Sequence, residues 1–133
     1  GMFLPLATAT AAGSYLFYVQ HNFEEIIVQP RHAWSYTKAA LESSSYLKTG
    51  PLMRWFTGNI GYHHVHHLNP MIPFYRLPDA MSAIPELQHP ATVTLSLKDI
   101  IGGFRLKVWD PDKNRMVGYP EDDRDAELAH AAE

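Results

Sequence analysis

The chain has no cysteine among its 133 residues. That absence excludes a disulfide framework, Cys-type zinc sites and iron–sulfur ligation by this chain. It also lacks a basic excess: formal net charge is −3, which argues against a nucleic-acid partner. Charged residues make up 19% of the chain and none falls within residues 2–19. No internal repeat is visible, and the H-E-x-x-H pattern of zinc hydrolases is missing. What the chain does have is histidine. It carries eight, and four of them lie in the five residues His63-His64-Val65-His66-His67.

Neutral imidazole is the commonest nitrogen ligand for Fe, Zn, Cu and Ni. On a helix each residue advances about 100°, so His67 lies about 40° and His66 about 300° from His63. These three converge on one face. His64 sits at the edge of that arc, at about 100°, and is read as a residue that supports a ligand from behind or lies on the surface. Val65 points away. The usable pattern is H-x-x-H-H through His63, His66 and His67. An expression tag is a poor explanation, because the cluster lies mid-chain between Gly58-Asn59-Ile60-Gly61-Tyr62 and Leu68-Asn69-Pro70. Three histidines plus water would satisfy zinc, and spacing alone does not choose between zinc and iron. His32, His89 and His130 have no supporting pattern.

Residues 2–19 are the candidate membrane helix, since a span needs about 20 mainly apolar residues. Pro5, Gly13 and several hydroxyl residues interrupt it. A signal peptide or a buried helix are the alternatives. The aromatic band Tyr15, Phe17 and Tyr18 suits an interface, and Arg31, Lys38, Lys48 and Arg54 behind it fit a cytoplasmic side. His21 directly follows this segment. It is either an interfacial polar residue or a ligand from a second helix.

Further along, residues 32–41 predict a short helix and 43–50 a loop. Pro51 starts a helix that is expected to run on through the histidine cluster to Asn69-Pro70. A short helix near 79–83, an extended piece at 91–96 and a helix over 98–105 follow. Residues 108–117 read as a hairpin turning at Asp110-Pro111-Asp112-Lys113-Asn114. Residues 121–133 read as a flexible tail.

Two stretches carry a resemblance. Leu16-Phe17-Tyr18-Val19-Gln20-His21-Asn22-Phe23, then Trp55-Phe56-Thr57-Gly58-Asn59-Ile60-Gly61-Tyr62 running into the cluster, strongly resemble the membrane fatty acid desaturases. The bacterial acyl-lipid, omega-6 (Δ12-like) branch is the nearest in kind. Ile72-Pro73-Phe74-Tyr75 continues the match. The H-x-x-H-H box by itself is shared with related lipid hydroxylases and ketolases. In combination with Gln20-His21 and the flanking Gly-Asn-Ile-Gly it is far more specific.

The resemblance implies a mainly α, membrane-associated helical fragment with a small cytoplasmic C-terminal part, residues 1–120 being the C-terminal portion of a desaturase domain. It implies a di-iron centre with O2 as co-substrate. His63, His66 and His67 match the family's third histidine box and His21 its extra histidine, while the first and second boxes are absent. The remaining ligands are then expected from outside this chain, either through truncation or from a second chain. The implied partners are a fatty acyl lipid, an external electron donor and the bilayer, with the bacterial inner membrane as location. Glu24, Glu25, Asn59, Asn69 and Asp79 are candidate hydrogen-bond partners of the ligands, or simply surface and capping residues. Trp55 and Phe56 are candidates for the wall of an acyl tunnel. The alternatives are a related di-iron hydroxylase or ketolase, and a non-enzymatic histidine-rich metal binder.

Overall fold

Helix α1 (Phe3–His21) contains no Asp, Glu, Lys or Arg, and just its last turns are buried, at Val19 and Gln20. The computed structural model describes residues 1–119, so the expected tail at 121–133 lies outside the described residues. The helix forms as expected, but no helix among the described residues is long and apolar enough to cross a membrane. Thr8, Thr10, Gly13, Ser14, Gln20 and His21 dilute its apolar character within 19 residues.

Helix α2 (Tyr36–Glu42) starts where the Ser35 side chain accepts from the Lys38 amide at 3.3 Å. This cap places the start four residues later than the sequence suggested. Strand β1 (Tyr46–Lys48) replaces part of the expected loop. It pairs in parallel with β2 (Thr92–Thr94), with Leu47 opposite Val93. A three-residue strand has little sequence signature of its own and exists here through that distant partner.

Helix α3 (Pro51–Phe56) begins on proline, as expected, but does not reach the histidines. Gly58 and Asn59 take φ of +59° and +55° and end it. Consecutive left-handed residues cannot continue a right-handed helix, and Gly and Asn are the residue types that tolerate this. The histidines instead form their own short helix, α4 (His63–Leu68). Helix α5 (Leu77–Ala83) and helix α6 (Leu97–Arg105) follow, the latter capped by Ser96. Strands β3 (Val108–Asp110) and β4 (Arg115–Val117) make the expected antiparallel hairpin. Asp110 Oδ1 accepts from the Asp112 and Lys113 amides at 3.0 and 3.2 Å, which shapes its turn.

The core is small. Tyr62, Val65, Leu77 and Leu87 form its centre, with Leu41, Tyr46 and Leu68 against them. Val65 is fully buried, so the residue pointing away from the histidine face anchors the cluster helix to the core. Gly61 makes that docking possible. A Cβ there would stand 2.5 Å from the Leu47 carbonyl oxygen, and the Leu47 amide donates to the Gly61 carbonyl at 2.9 Å. Backbone cannot move aside without loosening β1. Gly61→Ala should therefore lower stability by about 2 kcal/mol, read as a lower urea midpoint at unchanged slope. Gly102→Ala is the control, because a Cβ there meets nothing within 4 Å. It should be neutral or stabilise by up to ~1 kcal/mol. Equal midpoints for the two variants would contradict the close-packing account.

Candidate metal centre

Two elements bring three histidines together. The i, i+4 spacing places His63 and His67 on one face of α4, and His21 arrives as the last residue of α1. Their Nε2 atoms converge. His21 and His63 are 2.9 Å apart, His63 and His67 3.0 Å, and His21 and His67 3.3 Å. A metal–nitrogen bond of about 2.1 Å sets neighbouring ligand nitrogens about 3.0 Å apart at right angles and about 3.4 Å apart in a tetrahedron. The observed triangle is close to those values, and its vertices are side-chain nitrogens able to ligate one ion.

The protonation state fits as well. The His21 Nδ1–H donates to the Ser43 carbonyl at 3.2 Å, because a carbonyl can only accept. That fixes the tautomer and leaves the Nε2 lone pair free. Burial pushes the His63 imidazole down to about 3, and positive charge on His67, His21, His66 or His64 would push it further the same way. Burial also lowers His67, with His21 and His66 adding to the effect. Neutral rings whose lone pairs meet at 2.9–3.3 Å repel one another, and a cation between them turns that repulsion into coordination.

Gln20 holds the two elements in register. It is completely buried, and its Nε2 donates to the Ile60 carbonyl at 2.8 Å. Its own backbone carbonyl accepts from the Ser45 amide at 3.0 Å. The residue before His21 is thus tied both to the loop ahead of α4 and to the segment beside Ser43.

His66 is not part of the triangle. Its ring lies 5.9 Å from that of His63, at 24° to it, and 6.2 Å from that of His67. His64 is fully buried, not on the surface. Its Nε2 donates to the Leu87 carbonyl at 3.2 Å, and burial lowers its proton affinity. It is a core histidine that bridges α4 to the 3-10 turn Pro85–Leu87. His32 and His89 are exposed, and His130 lies outside the described residues.

The expected carboxylate and amide partners do other work. Glu24 pairs with Arg115, Asp79 with Arg76, Asn59 donates to the Phe74 carbonyl, and Asn69 accepts from the Met71 amide. The Ser43 backbone carbonyl takes the role sought from them, and no sequence motif marks a carbonyl. Trp55 and Phe56 project into solvent from α3, both more than three-quarters exposed. The groove that does open on the triangle has a volume of about 360 Å³ and is walled by Trp34, Tyr36, Ala39 and Ala40 beside His21 and His67.

The family model for fatty acid desaturases matches residues 1–96, which include all three converging histidines and His66. The chain is also 43% identical over 107 residues to a fatty acid desaturase of Bacillus subtilis (strain 168). That alignment covers 80% of this chain and 30% of the relative, so the chain spans less than a third of the relative's length. On these two matches this chain belongs to the fatty acid desaturase family.

Proposed function

We propose that this chain is the C-terminal part of a di-iron, O2-dependent fatty acid desaturase that introduces a double bond into a fatty acyl chain. The observation that carries the reading is the approach of the His21, His63 and His67 Nε2 atoms to within 3.3 Å of one another. An all-imidazole donor set suits a borderline metal such as iron. Bound iron supplies the redox power, drawn from O2, that an unactivated methylene pair demands and that acid–base side chains cannot provide.

The chain's own residues hold and orient. His21, His63 and His67 bind as neutral imidazoles to one ion. His66, turned about 60° from His63 around α4, is assigned to the second ion, whose other ligands come from outside this chain. The Ser43 carbonyl keeps the His21 proton on Nδ1, and Gln20 keeps α1 and α4 in register. The groove beside Trp34 and Tyr36 gives the acyl chain an approach to the centre. Electrons come from a donor outside this chain, which has no cysteine to hold an iron–sulfur cluster of its own. Association with the bilayer is supported by the exposed apolar surface at the start of α1, where Phe3, Leu4 and Leu6 are all more than two-thirds exposed; the metal side is assigned to the cytoplasm from Arg31, Lys38, Lys48 and Arg54 behind the helix. By itself the chain is inactive, because part of the centre is missing.

A chimera tests this reading. This chain replaces the matching segment of the Bacillus relative, and the host's lipids are analysed for new double bonds. The chimera should bind two irons and desaturate. Its His67→Ala form should do neither at equal protein level. Desaturation retained by His67→Ala would overturn the proposal.

A further inference from the structure

Residues 97–117 lie beyond the segment that the family model matches. They contain α6 and the β3–β4 hairpin, and they contribute no member to the histidine triangle. Their attachments are nonetheless concentrated on the few residues that bracket His21.

Asn22, the next residue, is the hub. Its Nδ2, with two N–H donors, lies 2.8 Å from the Gly103 carbonyl oxygen, 3.3 Å from that of Leu106 and 2.6 Å from the Tyr18 hydroxyl. The Tyr18 hydroxyl donates in turn to the same Gly103 carbonyl at 3.0 Å. Gly103 lies in the last turn of α6 and Leu106 directly follows it; the Leu106 amide already donates to the Gly103 carbonyl at 3.2 Å, and the Asn22 and Tyr18 side chains add to this cap. Phe104 stacks on Tyr18 with ring centroids 5.5 Å apart and meets Tyr15 at 5.8 Å. Beyond His21, the Met116 amide donates to the Glu24 carbonyl at 3.0 Å, and Arg115 pairs with the Glu24 carboxylate at 2.9 Å. Tyr18, Asn22 and Glu24 are thus each fixed to one C-terminal module, with His21 between them.

The end of α1 needs such a fixture. Most of the helix makes no buried contact, so its own packing cannot set the rotation and advance of its last turn. A slip of one residue there would turn His21 by about 100°, away from His63 and His67. Gln20 restrains this turn from the α4 side, and Asn22 restrains it from the α6 side.

We infer that the α6–hairpin module is a clamp on the metal-bearing end of α1, with Asn22 as the positioning residue that holds His21 in the triangle. This inference rests on the reading of His21 as a ligand, and the test separates the two. Cobalt(II) is titrated into the full chain, with affinity and visible absorption spectrum recorded well below the melting temperature of each variant. His21→Ala should weaken binding on the order of 100-fold and change the spectrum. Asn22→Ala should weaken it about 10-fold, and Asn22→Asp as much, because a carboxylate fills the space but cannot donate to the two carbonyls. Lys113→Ala, which removes only an ion pair within the hairpin turn, should stay within about twofold.

A merely structural Asn22 would lower the melting temperature of both variants and leave cobalt affinity and spectrum as in the parent chain; that result overturns the clamp. If the Asn22 variants do not fold, Tyr18→Phe decides by the same readouts, since it removes one acceptor of Asn22 and the second side-chain donor to Gly103. If His21→Ala binds cobalt like the parent chain, the ligand reading fails and the clamp fails with it.

Discussion

Replacing His63 with alanine is expected to weaken the binding of one zinc ion by about 100-fold. Zinc serves as the probe because it takes the same imidazole ligands without redox chemistry. A structural zinc site is worth about 12 kcal/mol shared among four ligands, or about 3 kcal/mol each, which corresponds to on the order of 100-fold in affinity. His63 is the most buried of the three converging rings and stands within 3.0 Å of both others. Removing it leaves His21 and His67 as a 3.3 Å pair with nothing to close the triangle. His64→Ala is the matched control one residue away. It removes a fully buried ring and its bond to Leu87, so it should destabilise the fold by about 1–3 kcal/mol and leave zinc affinity within a few-fold. Competition titration against a chromophoric chelator separates the two. Equal losses for His63→Ala and His64→Ala would refute the assignment of ligands within the cluster.

The second large effect is acid sensitivity of the metal-free chain. Burial holds His63 down to about 3 in the folded chain, against about 6.5 when unfolded. The unfolded chain therefore binds a proton below pH 6.5 that the folded chain refuses. The stabilisation linked to this residue is fully present above pH 6.5 and is lost as pH falls toward 3, at about 1.4 kcal/mol per pH unit. His64 and His67 are shifted downward too and act in the same direction. Urea midpoints measured with a chelator at pH 7.0, 6.0 and 5.0 should fall steadily, over a range where carboxylates stay ionised. A flat profile between pH 6.5 and 5.0 would contradict the buried, neutral state of His63.

These two effects trace back to features of unequal visibility in the sequence. The H-x-x-H-H spacing places His63 and His67 on one face, and their Nε2 atoms do converge, because i, i+4 neighbours share a helix face whatever the tertiary fold. His21 needed the family resemblance, since nothing local separates a ligand from an interfacial histidine. His66 shares the angular arc of the other two, yet its Nε2 stays out of the triangle, because angular projection ignores where along the axis a ring lies. His64 looked peripheral on the same projection. The core around Leu87 lies on that side of α4, a contact across 23 residues of chain.

The continuous helix expected from Pro51 fails at Gly58-Asn59, where two left-handed residues turn the chain. The apolar residues Leu52, Trp55, Phe56 and Ile60 form a stripe at helical spacing that runs across this pair, which is why the sequence predicts one helix. That stripe is not a core face: Leu52, Trp55 and Phe56 are largely exposed. The Ser43 carbonyl and the Asn22 hub have no sequence signature, because each acts through backbone groups brought close by the fold. The hairpin was readable because its turn chemistry is local.

The most direct test of the account is a long-range nitrogen–proton NMR spectrum of the histidine rings, recorded on the full chain before and after one equivalent of zinc. The account predicts that the Nε2 resonances of His21, His63 and His67 shift together while each ring keeps its proton on Nδ1, and that His64 stays unshifted with its proton on Nε2. Zinc-dependent shifts at His64, or an unmoved Nε2 at His21, would contradict it.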